Sequence, residues 1–378
     1  MASIDKRALP SGRTGWRVRY RDPAGKQHNK AFTRKVDAER YLTSVESSKL
    51  SGAYVDPALA RLTVGDWSAG WLAGQAHLKP STRERYAGIL REHVTPRWGV
   101  TKLADVTHSA VQHWVSELTT RRSAATVRKV HRVLSLVLAT AVKDGRLVRN
   151  PAEGVNLPRV VAPERLYLTH PQVHALAEAC GPTYRLPVMF LAYTGVRFGE
   201  MAALGVGRLD LLRRRAEITE SVTEVNGTQV WGTPKGHERR SVPIPRFLMD
   251  ELGEHVTGKG RDHLVFPGAH GAVLRVGVFR QGGFDKAAEA IGIEGLHPHA
   301  LRHTAASLAI ASGANVKVVQ QMLGHKSATM TLDLYGHLFP DQLDEVAEAL
   351  DTAARAAGVS IVCPRTVLVD LAEHSTPL

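Results

Sequence analysis

Six side chains that could bind or break a phosphate ester lie within residues 197–335 of the 378-residue chain. They comprise two guanidinium groups, an ammonium group, two imidazoles and a phenol, from Arg197, Lys235, His299, Arg302, His325 and Tyr335. Guanidinium groups hold anions through paired hydrogen bonds, imidazoles move protons near neutral pH, and a phenol can act as a nucleophile. If gathered in one site, these groups could break one phosphodiester bond and form another.

Taken singly, each group has an ordinary structural interpretation as well. Arg197 follows a Gly-containing turn at the start of a predicted helix, where it would meet an anion or only solvent. Lys235 stands between a proline and a glycine, which is also typical of a solvated turn. His325 could be an ordinary helix C-terminal residue, and Tyr335, on an apolar helix, could be a core residue.

His299 and Arg302 are three residues apart and therefore share one face of the helix that Pro298 begins. An imidazole and a guanidinium near a helix N-terminus suit a phosphate group. Zinc binding by His299 together with His297 and His303 is the alternative, but the segment offers no cysteine or carboxylate at a useful spacing. We therefore expect no metal ion and no cofactor.

In their order, these motifs resemble the tyrosine recombinase (phage integrase) family. Thr-Gly-Val-Arg-Phe-Gly-Glu at 194–200 is followed by His-x-x-Arg at 299–302, by Leu-Gly-His at 323–325 and by a tyrosine ten residues after that histidine. This last spacing is one residue longer than in many members of the family. The resemblance extends over essentially the whole chain.

The resemblance implies a site-specific recombinase that integrates and excises a phage or mobile element through a 3′-phosphotyrosyl intermediate. Tyr335 would be the nucleophile. Arg197, Arg302 and His325 would hold the non-bridging oxygens, where negative charge develops. The chemistry would need no metal ion, because the arginine, lysine and histidine side chains supply the charge. It would need no ATP, because the tyrosyl ester conserves the energy of the broken bond.

The remaining roles also come from the resemblance. Lys235 would be the general acid for the leaving 5′ oxygen, and His299 the acid/base partner of Tyr335. Glu200 would orient the arginines without touching DNA.

Positive charge is concentrated toward the N-terminus. The chain has 49 Lys+Arg against 36 Asp+Glu, a net charge of +13. Residues 1–60 carry 12 basic and 6 acidic residues, and residues 61–160 carry 16 and 7. Two basic segments ahead of a nearly neutral one indicate a nucleic-acid-binding region joined to a separate domain that carries the chemistry. Two cysteines, short apolar runs and no signal-like N-terminus predict a protein of the reducing cytoplasm.

The first basic segment predicts a small sheet backed by a helix. Residues 16–21 and 26–32 form its strands, and a helix capped by Thr33 runs to Lys49. The residues available for its buried side are Val36, Ala38, Tyr41, Leu42 and Val45. The second segment predicts helices starting at Thr63, Ser81 or Thr82, Thr107 and Ser123. Exposed basic groups of both would contact DNA: Arg17, Arg19, Arg21, Arg83, Arg121, Arg122, Arg128 and Lys129.

The third segment predicts mixed α and β structure. Helices begin at Thr169 and after Cys180, a hairpin joins residues 216–224 to 228–233 through Asn226-Gly227, and residues 240–244 extend that sheet. Helices return from residue 279 to residue 350. We expect a multidomain chain, mainly α with small β-sheets. Its parts are an arm-type DNA-binding domain (1–55), a four-helix core-binding domain (61–150), a mixed α/β catalytic domain (165–345) and a C-terminal tail (346–378).

The expected partner is double-stranded DNA at core-type and arm-type attachment sites, bound by a homotetramer. The resemblance adds a host DNA-bending factor and an excisionase, in the bacterial cytoplasm near the nucleoid and with no membrane partner. The tail would dock on a neighbouring protomer, with residues 367–369 forming a short strand. The alternatives are a chromosome-dimer resolvase of the same family, a type IB topoisomerase and a DNA-binding regulator whose catalytic domain is inert.

Overall fold

The structure is a computed structural model. It describes residues 2–8, 14–23, 25–52, 54–56, 59–161, 165–234, 239–339 and 343–357. Lys235 and the strand expected at 367–369 lie outside the described residues. The chain separates by its contacts into two compact units, Met1–Glu164 with Thr223–Val230 and Arg165–Val222 with Trp231–Leu378. Within the described ranges, no helix is both long and apolar enough to cross a membrane.

A three-stranded antiparallel sheet backed by one helix forms the N-terminal part. Its strands β1 (Ser3–Ala8), β2 (Thr14–Arg21) and β3 (Gln27–Phe32) lie in that order, and helix α1 (Lys35–Leu50) follows. The predicted strands β2 and β3 are confirmed, whereas β1 was not predicted. Val18 of β2 is buried against Ala38 of α1 in a small apolar core.

Two predicted details of α1 are wrong. The N-cap residue is Arg34 rather than Thr33, and it makes no side-chain capping bond. Val36 is 45% exposed. The buried side of the helix passes through Ala38 and Val45, and a residue two positions before Ala38 projects from roughly the opposite side of a 3.6-residue helix.

A bundle of helices follows. It consists of α2 (Val64–Ala73), α3 (Pro80–Ile89), a π-helical turn (Leu90–Val94), α4 (Thr95–Trp98), α5 (His108–Thr119) and α6 (Ala124–Lys143). As predicted, the side chains of Thr63, Thr107 and Ser123 cap α2, α5 and α6. Helix α3 begins at Pro80, ahead of the predicted Ser81 or Thr82, because proline fits the first helical position. The rings of Trp98 and Trp114 meet edge to face inside the bundle.

The third part combines helices with two small sheets and the largest apolar core. Its helices are α7 (His170–Ala179), α8 (Gly181–Thr194), α9 (Phe198–Ala202), α10 (Met249–Val256), α11 (Val276–Phe279), α12 (Asp285–Ala290), α13 (Ala300–Ala311), α14 (Val316–Leu323), α15 (Ala328–Tyr335) and α16 (Leu343–Ala356). A π-helical turn, Arg280–Phe284, joins α11 to α12. The strands are β4 (Leu209–Asp210), β5 (Arg215–Ile218), β6 (Ser221–Val225), β7 (Thr228–Gly232) and β8 (Arg240–Pro243).

The single strand predicted over 216–224 is wrong, because it is divided into β5 and β6. β6 pairs with β7 as the predicted hairpin, but β8 pairs with β5 and not with β7. Ala216 and Ile218 enter the main core, whereas Val222 joins a separate small apolar cluster. The two strands therefore contribute to different apolar clusters. The expectation of a mainly α chain with small sheets is confirmed.

Glycines in the left-handed conformation end α8 and α14. Gly195 has φ 66° and Gly324 has φ 64°, values that L side chains rarely adopt. A Cβ atom at Gly195 would also lie 2.7 Å from Cδ2 of Leu323. These two helix ends therefore come close together, and their last carbonyl groups face a common point.

Candidate active site

Arg302 occupies the point where these helix ends meet. It lies in the first turn of α13 and is 3% exposed. Its Nη1 donates to the carbonyl oxygen of Gly195 at 2.6 Å, and its Nη2 donates to that of Leu323. The C-terminal ends of α8 and α14 thus supply partial negative charge to a buried cation. A guanidinium has five N–H donors, so further donors remain for an anion.

Arg197 and Glu200 form the start of the short helix α9. The Arg197 backbone N–H donates to Oε2 of Glu200 at 2.9 Å, and its Nη1 donates to Oε1 at 2.7 Å. The Glu200 side chain is fully buried, whereas that of Arg197 is 23% exposed. Glu200 therefore orients Arg197, and the guanidinium reaches the surface. The sequence analysis expected Glu200 to orient the arginines without touching DNA, and that role stays a prediction.

Tyr335 ends α15 and is 1% exposed. Its hydroxyl lies 2.8 Å from Nδ1 of His303. In the free protein the phenol is thus bonded to His303 and not to His299, and the acid/base role expected for His299 stays a prediction. His299 sits at the N-cap position of α13, whereas His303 is one turn further into the helix and faces the phenol. The His299 ring instead meets the His303 ring edge to face, with centroids 5.1 Å apart.

His325 follows Gly324 and is 8% exposed. Its Nδ1 is 3.0 Å from Oγ1 of the buried Thr331. Its ring is nearly parallel to that of Tyr335, with centroids 6.4 Å apart. When the Thr331 hydroxyl donates to Nδ1, the ring proton lies on Nε2. That nitrogen is then the donor left for an anion.

Burial sets the protonation states of these groups. It raises the pKa of Tyr335 to about 12, although the charge of Arg302 opposes the rise. Burial, followed by nearby positive charge, lowers the pKa of His303 and of His325 to about 4. At neutral pH both imidazoles are therefore neutral, and the phenol keeps its proton. Burial lowers the pKa of Arg302 to about 9, so it stays cationic.

The predicted site residues that the structure describes belong to one electrostatic group. Arg302 interacts with Arg197, Glu200 and Tyr335, and the Arg197 charge also acts on His325. Part of His299 is open to solvent. Desolvation of its ring, followed by the charges of His303 and Arg302, nevertheless lowers its pKa to about 4. The role expected for Lys235 stays a prediction.

Two residues of the site were missed. His303 appeared only as a zinc-ligand alternative, although its position directly after Arg302 could have suggested it. Arg240 was treated only as the first residue of a strand, but its side chain pairs with Glu200. No local pattern marks Arg240, because its partner lies 40 residues away.

The expected DNA-contacting residues divide into two groups. Arg17 and Arg19 face Asp5 of β1, and Nη2 of Arg19 lies 2.7 Å from an Asp5 oxygen. The carboxylate of Asp5 therefore competes with DNA for these two guanidinium groups. The sequence pattern did not indicate this competition, because strand β1 was not predicted. The others are exposed: Arg21, Arg83, Arg121, Arg122, Arg128 and Lys129.

Possible metal ligands gather elsewhere. Among the described residues, ligand atoms of Asp22, His28 and Asp56 lie within 4.8 Å of one another. His28 Nε2 is 2.9 Å from Asp22, and Lys26 Nζ is 3.4 Å from Asp56. A hydrogen bond and an ion pair thus account for this group. The three histidines of the zinc alternative are not gathered in this way.

Models of three phage integrase segments match the chain. The Phage integrase family model matches residues 166–342, the Phage integrase N-terminal domain matches residues 5–51, and the N-terminal SAM-like domain matches residues 63–119. The chain is 29% identical over 364 residues to the putative prophage phiRv2 integrase of Mycobacterium tuberculosis, covering 92% of this chain and 95% of that one. It is 26% identical to the integrase of Mycobacterium phage D29, covering 79% of each.

Solved structures share the fold. The Tn1549 transposon integrase in complex with transposon right end DNA has a TM-score of 0.67 at 20% identity, over 78% of this chain and all of that one. A lambda integrase dimer bound to a COC′ core site has a TM-score of 0.57 at 18% identity, and the match covers 87% of this chain and 93% of that one. Since the matched models cover the basic sheet, the helical bundle and the arginine site in turn, the chain belongs to the phage integrase family of tyrosine recombinases.

Proposed function

We propose that this chain is a site-specific DNA recombinase that cuts and rejoins DNA through a 3′-phosphotyrosyl intermediate, and so integrates and excises a phage or other mobile element. The observation that carries the proposal is the environment of the Tyr335 hydroxyl. It lies 2.8 Å from a neutral imidazole, that of His303, and close to the buried cation of Arg302. A phenol with a base on one side and an anion-binding group on the other is equipped to attack phosphorus.

Binding of the scissile phosphate comes first. Arg197 and Arg302 donate to its non-bridging oxygens, and Nε2 of His325 adds a third donor. These donors are fixed by protein contacts before the phosphate arrives, so little reorganisation is needed as negative charge grows in the transition state. Their removal would cost about 3–4 kcal/mol each, the loss typical of a preorganised oxyanion donor.

In the attack, the oxygen of Tyr335 bonds to phosphorus while the bond from phosphorus to the 5′ oxygen breaks. The phenol proton passes to His303, the ring that already contacts the hydroxyl. Lys235 supplies the proton to the 5′ oxygen in this proposal. A 5′ hydroxyl of another strand reverses these steps and restores the phosphodiester, so no ATP is consumed.

A nicked duplex that traps the covalent intermediate tests the proposal. Sequencing the junctions of the element that carries this reading frame identifies the attachment sites. On a nicked duplex that contains one of these sites, the unmodified protein should form a covalent adduct. Tyr335→Phe should form no adduct while still binding the DNA. Tyr193→Phe is the matched control, since it removes a hydroxyl bonded to His170 instead. An adduct with Tyr335→Phe would refute the assignment.

The assembly is part of the proposal. DNA is the partner, bound by residues 1–55 at arm-type sites and by 61–150 with 165–345 at core-type sites. A host DNA-bending factor and an excisionase set the direction, in the bacterial cytoplasm near the nucleoid. Recombination of two sites by the unmodified protein, with no relaxation of a plasmid that lacks them, separates this function from a topoisomerase.

Helix α16 supports a tetramer on DNA. Its described side chains are almost all exposed, with Val346 at 52% and Leu350 at 66%. An acidic helix with an exposed apolar stripe is suited to dock on a neighbouring protomer. Replacing Val346 and Leu350 with serine, and separately truncating the chain before Thr352, should each weaken tetramer assembly and activity. Unchanged assembly with unchanged activity in both variants would remove this part of the proposal.

A further inference from the structure

The guanidinium of Arg240 is buried and committed to protein partners. It begins β8, and its side chain is 9% exposed. Nη1 and Nη2 donate to the two carboxylate oxygens of Glu200 at 3.2 and 2.6 Å, and Nε donates to the carbonyl oxygen of Met322 at 3.1 Å. A paired contact of this kind fixes orientation as well as distance. All three nitrogen atoms of Arg240 are thus engaged away from solvent.

One carboxylate therefore serves two different arginines. Arg240 contacts both oxygens of Glu200, whereas Arg197 contacts one oxygen through Nη1. Arg197 is also the more exposed of the two, at 23% against 9%. The geometry keeps Arg240 inside and leaves donors of Arg197 for a ligand at the surface.

The way in which Arg240 and Arg197 share Glu200 matters because Glu200 is charged. Burial alone would raise its pKa, but the hydrogen bond and charge of Arg240, with the charge of Arg197, lower it to about 2. The carboxylate is therefore ionised whenever the protein works. Without Arg240, an ionised and buried Glu200 would draw Arg197 into a paired contact and cancel its charge.

Arg240 also supports the turn that carries His325. Besides its bond to Met322, a Cβ atom at Gly324 would lie 3.0 Å from Cδ of Arg240, so the side chain packs directly against this turn. Strand β8 is itself fixed by its pairing with β5. One side chain thus links the segment of Arg197 to the segment of His325.

We infer that Arg240 is a positioning residue of the phosphate site: it engages both oxygens of Glu200 so that Arg197 keeps donors for the phosphate, and it holds the turn of His325. The inference rests on the proposed function. It assigns Arg240 no contact with DNA, so its loss should slow cleavage without weakening binding.

The test compares the rate of covalent adduct formation and the affinity for the nicked duplex. Arg240→Met should slow the adduct about 10- to 100-fold, as expected when a reacting group is misplaced by about 1 Å, with affinity nearly unchanged. Arg213→Met is the matched control: it removes a guanidinium that is 85% exposed and lies 3.8 Å from Asp210. It should keep the unmodified rate.

A second variant separates positioning from simple stability. In Glu200→Gln combined with Arg240→Met, a neutral amide no longer competes for Arg197, so the adduct should form at least several-fold faster than with Arg240→Met alone. Arg240→Lys is used if Arg240→Met does not fold. Its rate of adduct formation should lie between those of Arg240→Met and the unmodified protein, because an ammonium group cannot span both carboxylate oxygens of Glu200. Unmodified rates in Arg240→Met or Arg240→Lys, or no recovery in the double variant, would overturn the inference. If the unmodified protein forms no adduct, the proposed function itself fails.

Discussion

Replacing His303 with glutamine tests which imidazole accepts the proton of the nucleophile. The amide can still hydrogen-bond the Tyr335 hydroxyl, so the phenol is not left buried without a partner. It cannot accept a proton at any working pH. We therefore expect His303→Gln to fold and bind DNA but to cleave slowly, and His299→Gln, which removes a ring that does not contact the phenol, to cleave faster than His303→Gln.

The size of the effect follows from the protonation states. A positioned general base contributes about 10²–10⁴-fold, which corresponds to roughly 3–5 kcal/mol of the barrier. Since burial raises the pKa of Tyr335 to about 12, a phenol without a base loses its proton very rarely at neutral pH. In His303→Gln the rate should then rise about tenfold for each unit of pH, because it depends on the phenolate fraction.

The unmodified protein should behave differently. Burial lowers the pKa of His303 to about 4, so the base is unprotonated above about pH 5 and the rate should be nearly level from there to pH 8. Single-turnover adduct formation on the nicked duplex measures both profiles. A His303→Gln variant as fast as the unmodified protein, beside a slow His299→Gln variant, would refute the reasoning and restore the pairing first expected.

Two further predictions concern charge. Asp5→Asn should release Arg17 and Arg19, so that binding of arm-type DNA tightens and the slope of log K against log salt becomes steeper by about 0.9 for each added phosphate contact; an unchanged slope in a salt titration would contradict this. Burial lowers the pKa of His325 from 6.5 to about 4, so its contribution to the free energy of unfolding is complete above about pH 6.5 and is lost as the pH falls toward 4, by at most about 3 kcal/mol. The free energy of unfolding, measured with urea between about pH 7 and pH 4, should therefore fall less for His325→Gln than for the unmodified protein. An equal fall in the two proteins would contradict the prediction that His325 is buried and neutral.

Local sequence patterns predicted the elements whose signals lie within a few residues. Thr107 and Ser123 were recognised as caps because a hydroxyl followed by an apolar period of 3.6 residues is itself the start of a helix. The hairpin at Asn226-Gly227 was found for the same reason, since both residues have positive φ there. Such features depend on neighbours in the chain.

Features that depend on distant partners were not predicted. Strand β1 exists because residues 3–8 pair with residues 14–19 of β2, and nothing in its own composition indicates a strand. The spacing of His299 and Arg302 shows a shared helix face but not which ring the phenol of a later helix will meet. Arg240 becomes part of the site only through Glu200 and Met322, which other segments supply.

Tyr335 is both one of the largest fully buried side chains and the proposed nucleophile. A duplex therefore reaches this oxygen only after the residues that cover the phenol shift, while the hydroxyl keeps its contact with His303. The free energy of that shift acts as a threshold that only a firmly bound duplex can overcome. Duplexes that bind only weakly or briefly should therefore dissociate before a strand is broken.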